Sequence, residues 1–391
     1  MYIDKRFYIE GRGNMDFKPL ASFIDRITSW RIPWAEVLVM HQNDTVFRYR
    51  NGYANLEEQT PIGDGAIFNL YSMTKIMTCV AALQLVERGQ MLLSDPVSDY
   101  LPEYAEMTVK KTLSSGEVRL EKATKAITVR DLFTMTAGFS YDVGSPSIQE
   151  AVQSTNGILS TRDFAKALAK EPLLFEPGTH WNYSMCHDVL GALVEVVSGR
   201  RFGKYLQEEI IGPLGMNDTA FDLNEEQQTR LIPQYAYNDE LEKAVRMDGN
   251  GFRVGTDLES GGAGLLSTVS DYALFLSALT GKGTSPKGVR ILSQASVELM
   301  RTDHLNDLTR DDYSWDHMGG YGYGLGVRTH ISKAGSGSLS PLGEFGWSGA
   351  AGCMAIIDPD SQLTVMYAQH LLNNQEPYVH RRLRNVVYSC L

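Results

Sequence analysis

Cysteine is scarce: Cys79, Cys186, Cys353 and Cys390 are scattered over 391 residues. That spacing contains no CxxC pair of a zinc site and none of the density of a disulfide-stapled fold, so ordinary reduced thiols are expected. No His-Glu-x-x-His occurs and the eight histidines lack ligand spacing, so the sequence calls for no metal and no other cofactor. Long apolar runs are missing too, and without a stretch of about 18 apolar residues no spanning helix is expected. Positive charge is in deficit, with 36 Lys plus Arg against 47 Asp plus Glu and a formal net charge of −11. This sign opposes phosphate-neutralising contacts and removes nucleic acid and anionic membrane from the expected partners. The 36 glycines follow no repeat period, and no low-complexity tract is present. The stretch from Met1 to Glu10 carries acids and no apolar core, so no secretory signal is visible and a cytoplasmic protein is expected. No motif speaks to the oligomeric state.

What is present is an average globular composition, 43% hydrophobic and 21% charged. Phe17, Leu20, Ile24 and Ile27 recur at helical spacing between Asp16 and Trp30, and Pro33 ends that helix. Segments Glu36 to His41 and Thr45 to Tyr53 flank Asn43-Asp44 and read as a hairpin. From Thr74 to Gly89 the pattern is apolar over most of a helical circumference, which predicts a central buried helix. Helical patterns then dominate to about residue 290, including Val129 to Thr136, Met185 to Ser198 and Val269 to Leu279. Beyond residue 320 the period returns to two. Tyr321 to Ile331, Phe345 to Ile357 and Leu363 to Gln369 read as strands, Asp358 to Ser361 as a turn, and Val379, Leu383, Val386 and Val387 as one face of a closing helix.

Strands at both ends with helices between them predict an α+β fold of two lobes. Residues 1–70 and 291–391 would form an antiparallel sheet flanked by terminal helices, and residues 71–290 a mainly helical lobe. A cleft is expected at the junction.

The stretch Tyr71-Ser72-Met73-Thr74-Lys75 stands where the buried helix begins. A three-residue step puts Ser72 and Lys75 on one helix face a turn apart, and the helix N-terminus adds positive partial charge near the hydroxyl. Taken alone, the pair is equally an N-cap and a solvated charge. Two further stretches give it weight. Trp181-Asn182-Tyr183-Ser184-Met185 follows a Pro-Gly turn and precedes a helix, and Phe345-Gly346-Trp347-Ser348-Gly349-Ala350 places small residues in an apparent strand, where close backbone approach is common.

In this order the motifs resemble the serine β-lactamase and penicillin-binding-protein superfamily, in particular its class C-like branch with the family VIII carboxylesterases and a lovastatin acyltransferase. Ser72 to Lys75 matches Ser-x-x-Lys, Tyr183 the tyrosine of Tyr-x-Asn, and Trp347 to Gly349 the Lys-Thr-Gly position. Supporting matches are Thr128 to Phe139 and Gly261 to Leu265. Two positions depart: Trp347 stands where a lysine would attract a substrate carboxylate, and Met185 where an asparagine would meet an acylamino group. Both changes favour neutral, apolar acyl groups.

The resemblance implies a β-lactamase-like domain over the whole chain and a serine hydrolase of the carboxylesterase kind acting on small-molecule esters. Ser72 would attack the carbonyl, and Lys75 and Tyr183 would share the proton transfer, with either a neutral lysine amine or a tyrosine phenolate as base. The backbone N–H groups of Ser72 and Ala350 would form the oxyanion hole. Trp347, Gly349, Phe139, Tyr141 and Met185 are expected around the substrate. An acyltransferase with the same acyl-enzyme, a β-lactamase or peptidase, and a non-catalytic binding member of the fold are the alternatives. Ser348, in a stretch one residue short of Gly-x-Ser-x-Gly, is a weaker candidate nucleophile, because an elbow needs a helix after it and extended structure is expected there. His180 and His187 are expected to be surface or hydrogen-bonded histidines, and Asp188 to cap or buttress the helix after Tyr183.

Overall fold

The computed structural model describes residues 15–391, so the expectation about a leader at Met1 to Glu10 lies outside it. Helix α1 (Lys18–Thr28) buries Leu20, Phe23, Ile24 and Ile27 on one face. Strands β1 (Trp34–His41) and β2 (Asp44–Asn55) pair antiparallel, and β3 (Thr60–Pro61) follows β2 at the edge. The turn falls one residue earlier than expected, on Gln42 and Asn43. Both have positive φ, 51° and 70°, as the tight turn of a two-residue hairpin requires.

The C-terminal part supplies β4 (Tyr321–Tyr323), β5 (Arg328–His330), β6 (Phe345–Gly346), β7 (Met354–Asp358) and β8 (Leu363–Ala368). The sheet order is β4-β5-β6-β7-β8-β1-β2-β3, antiparallel throughout. The two ends of the chain meet where β1 pairs with β8, Glu36 opposite Ala368 and His41 opposite Leu363.

Two expected strands are each two strands. The stretch from Tyr321 to Ile331 turns back at Gly326, whose φ is 78° and where a Cβ would collide with Cys79. Phe345 to Ile357 reverses between Gly349 and Gly352: Gly349 N donates to Cys353 O at 2.9 Å and Gly352 N to Gly349 O at 2.7 Å. Both arms are buried, so their apolar content hid the reversal.

Alternate residues of β1 face two cores. Ala35, Val37 and Val39 meet α1 and the closing helix, while Trp34, Leu38 and Met40 meet the helical side. On that side lie α2 (Thr74–Glu87), buried from Thr74 to Leu85, α3 (Val129–Thr134), α4 (Cys186–Ser198) and α5 (Val269–Thr280). The closing helix is α6 (Glu376–Ser389). Helix α4 packs on α2 and α3. Helix α5 lies instead against β8, β7 and β1, and Thr280 Oγ1 sits 2.7 Å from Thr364 Oγ1. Placing all of 71–290 in the helical lobe therefore misassigned α5, which is apolar nearly all round because it is covered on both sides. The mainly helical stretch also contains two hairpins, Thr108–Thr112 with Val118–Lys122 and Gln234–Asn238 with Lys243–Met247, whose largely polar strands gave little signal.

Candidate active site

Just ahead of α2, Tyr71 takes a left-handed backbone conformation with φ 48°, an uncommon state for a bulky residue. Its hydroxyl donates to Gln234 and its ring meets Phe252 edge-on at 5.9 Å, contacts that hold the conformation. A single 3₁₀ turn, Tyr71–Met73, then carries Ser72 onto the end of α2. Lys75 is fully buried one turn on. Its Nζ donates to Ser72 Oγ at 3.3 Å, Tyr141 Oη at 3.1 Å and Gly262 O at 2.8 Å.

Burial opposes the Lys75 charge, yet the Tyr141 and Tyr183 hydroxyls and Asp188 outweigh it and hold the pKa above the ordinary lysine value. Lys75 is thus an ammonium at neutral pH in the unliganded site. Asp188, at the start of α4, accepts Ser260 Oγ at 2.5 Å and Gly262 N at 3.1 Å. Gly262 fits there because a side chain would strike the Asp188 carboxylate. Asp188 therefore fixes the loop whose carbonyl holds Lys75, so its buttress role reaches beyond its own helix.

Two loops run side by side beneath the tyrosines. Asn182 Nδ2 donates to Phe139 O at 2.8 Å, and Met185 N to Ser140 O at 3.3 Å. The result is a stack: Tyr141 on Tyr183 at 5.3 Å and Tyr183 on Trp347 at 5.7 Å, with Trp347 Nε1 donating to Tyr183 Oη at 3.3 Å. Lys75 Nζ lies 4.7 Å from the centre of the Tyr183 ring.

Phe139 and Met185 do not line the cleft, contrary to expectation. They are 2% and 1% exposed, and Phe139 packs edge-on against Tyr104. Their backbone groups tie the two tyrosine loops together, so their side chains turn into the core. Neither histidine lines the cavity. His187 is wholly buried, with Nε2 3.3 Å from Phe133 O, and burial together with Lys75 pushes its pKa down to about 3. His180 pairs with Asp312 at 3.1 Å.

Ser72, Tyr141, Tyr183, Trp347, Gly349 and Ala350 share one cavity of about 600 Å³. Gly349 lets its turn reach the backbone before Ser72, since a Cβ there would collide with Leu70 O. Asn374 Nδ2 donates to Ala350 O at 2.7 Å and steadies the same turn. Sequence reasoning missed the rest of the wall: Phe252, Trp315, Asp316, His317, Glu376 and Pro377. They come from loops and the start of α6, where no periodicity marks them. Ser348 Oγ donates to Glu376 Oε1 at 2.6 Å rather than to a histidine, and the tight turn and β7 follow it instead of a helix. Among the described residues no cluster suits a metal ion, and no helix is long and apolar enough to cross a membrane.

A serine hydroxyl one helical turn from a buried ammonium, beside a tight turn between β6 and β7 that offers close-packed glycine, defines a site of the acyl-enzyme type. The chain belongs to the beta-lactamase family, which it matches over residues 21–388. It is 32% identical over 325 residues to protein Rv1367c of Mycobacterium tuberculosis, covering 81% of this chain and 80% of the relative. It is 28% identical to esterase EstB of Burkholderia gladioli, covering 88% of each. The structure of unliganded simvastatin synthase (LovD) from Aspergillus terreus superposes with a TM-score of 0.80 at 25% identity, covering 95% of this chain and 97% of that one.

Proposed function

We propose that the protein is a serine hydrolase that cleaves small esters through an acyl-enzyme on Ser72. The observation that carries this is the 3.3 Å contact of Lys75 Nζ with Ser72 Oγ at the floor of a cavity walled by aromatic rings. An ammonium there favours the alkoxide-like oxygen that attacks the ester carbonyl. The Lys75/Tyr183 pair accepts the Ser72 proton in the state that holds one proton fewer than ammonium plus phenol, and with the ammonium kept on Lys75 the proton goes to the Tyr183 oxygen, which borders both Ser72's cavity and Lys75. Tyr141 stays a phenol, since burial, partly offset by Lys75, pushes it up to about 12. The oxyanion sits between the N–H groups of Ser72 and Ala350. Departure of the alcohol takes back the proton, and water then opens the acyl-enzyme by the same steps.

The esterase relative supports hydrolysis, and simvastatin synthase supports transfer of the same acyl group to an alcohol. Above the Lys75 ammonium at its floor, the cavity wall carries no Lys or Arg and two carboxylates, Asp316 and Glu376, which argues against anionic β-lactams and peptides as substrates. Four free, buried cysteines support a cytoplasmic location. The test is fluorophosphonate labelling with peptide mapping, followed by p-nitrophenyl butyrate turnover with a panel of added alcohols. An adduct on Ser72 with hydrolysis is expected. Lack of a Ser72 adduct favours a binding protein, acyl transfer exceeding hydrolysis favours the transferase, and efficient nitrocefin turnover the β-lactamase.

A further inference from the structure

The half of the cavity away from Ser72 has a chemistry that cleavage of a neutral ester leaves unexplained. Its exposed wall is aromatic: Trp315, 37% exposed, lies 5.6 Å from Tyr183 and 6.3 Å from Trp347, and Phe252 stands opposite Tyr141 at 5.5 Å. The Lys75 ammonium lies over the faces of Tyr141 and Tyr183, at 5.2 and 4.7 Å, and Trp347 is 2% exposed with Tyr183 stacked on it, so the rings left for a ligand are Trp315 and Phe252. All the formal charge on the lining is negative, from Asp316 and Glu376. Burial opposes the Glu376 charge, but His380, Ser348 and His317 outweigh it and bring its pKa down to about 2. Burial pushes His317 below the ordinary imidazole value, so it offers no compensating cation at neutral pH.

An exposed indole beside carboxylates, with no competing cation on that part of the wall, is the arrangement that holds an ammonium by cation–π attraction and charge. We propose that the ester cleaved here carries a cationic headgroup, a primary ammonium or trimethylammonium, seated against Trp315 on the side of Asp316 and Glu376. This rests on the esterase reading and adds the substrate's charge to it. It also gives the net charge of −11 a direction, because a negative protein raises the local concentration of cations at such a mouth.

Butyrylcholine and 3,3-dimethylbutyl butyrate have the same shape and acyl group and differ in a nitrogen cation against a carbon. At low salt the wild-type kcat/KM for butyrylcholine is expected to exceed that of the neutral ester by about tenfold, and the ratio to shrink in 1 M salt. Asp316→Asn and Trp315→Leu alter exposed positions and are each expected to bring the ratio toward one, with circular dichroism reporting folding of the same samples. A wild-type ratio at or below one, or a preference that survives both substitutions, overturns the headgroup assignment. If neither ester is cleaved in a Ser72-dependent way, the esterase reading itself falls and this assignment with it.

Discussion

Ser72 and Ser348 open onto the same cavity, and the contrast between their surroundings shows how partners decide what a hydroxyl does. Ser72 meets an ammonium, so charge on its oxygen is favoured. Ser348 meets the Glu376 carboxylate, where the same charge would be repelled and the proton is best kept in the hydrogen bond. The contrast extends to the whole cavity: a polar, cationic floor carried by α2 and its loops, and an anionic, aromatic rim carried by the segment before β4, the turn after β6 and the start of α6.

The sharpest way to break this contrast is to exchange the serines' fates. Ser72→Ala is expected to lower p-nitrophenyl butyrate kcat by about 10⁴, and Ser348→Ala by no more than about tenfold. Steady-state rates on both purified variants decide it, and the reverse order would make the rim the reacting end. Next, Lys75→Met, which keeps the volume and removes the charge, should cost about 10³ in kcat while the fold is retained by circular dichroism. In the same assay Tyr183→Phe is expected to lose more than Tyr141→Phe, since only Tyr183 takes the proton.

Asp188→Ala leaves Ser260 Oγ and Gly262 N unpaired and deprives Lys75 of a buried counter-charge. Urea unfolding should show a loss of about 2–4 kcal/mol. An unchanged midpoint would mean that the floor does not need this support. The rim is open to a pH test. Glu376 titrates lower in the folded protein, at about 2, than its ordinary 4.5. It therefore contributes stability above pH 4.5 that is lost as pH falls toward 2, up to about 3 kcal/mol. Glu376→Gln should flatten that acid limb of the stability curve. The smallest effect is expected at Met185→Leu: less than about 1.5 kcal/mol and no change in ester preference, because the side chain is in the core. A shifted preference would return Met185 to the pocket.

Legibility followed locality. Lys75 was visible beside Ser72 because a helix fixes what stands three residues away. Tyr183 was visible because it follows a turn and precedes a helix. Trp315, Asp316 and His317 were not, since their loop has no period and reaches the cavity only through Trp315 packing on Trp181 and Tyr183. Phe139 and Met185 show the converse. Their neighbours in sequence line the site, but the hydrogen bonds joining their loops turn these two side chains inward. The hidden turn at Gly349 to Gly352 has a similar cause, as buried strands on either side of a reversal carry the same residues as one longer strand.

By itself, then, the sequence determined the Ser72–Lys75 spacing, the buried character of α2 and the pairing of both chain ends in one antiparallel sheet, because helical and strand periods are short-range rules. Only the tertiary structure decided which groups surround the Lys75 ammonium and which charge faces the substrate. Gly262 is 187 residues from Lys75, and Glu376 lies 28 residues beyond the serine whose proton it holds. Contacts over such separations are set by how whole elements pack, which no local pattern records.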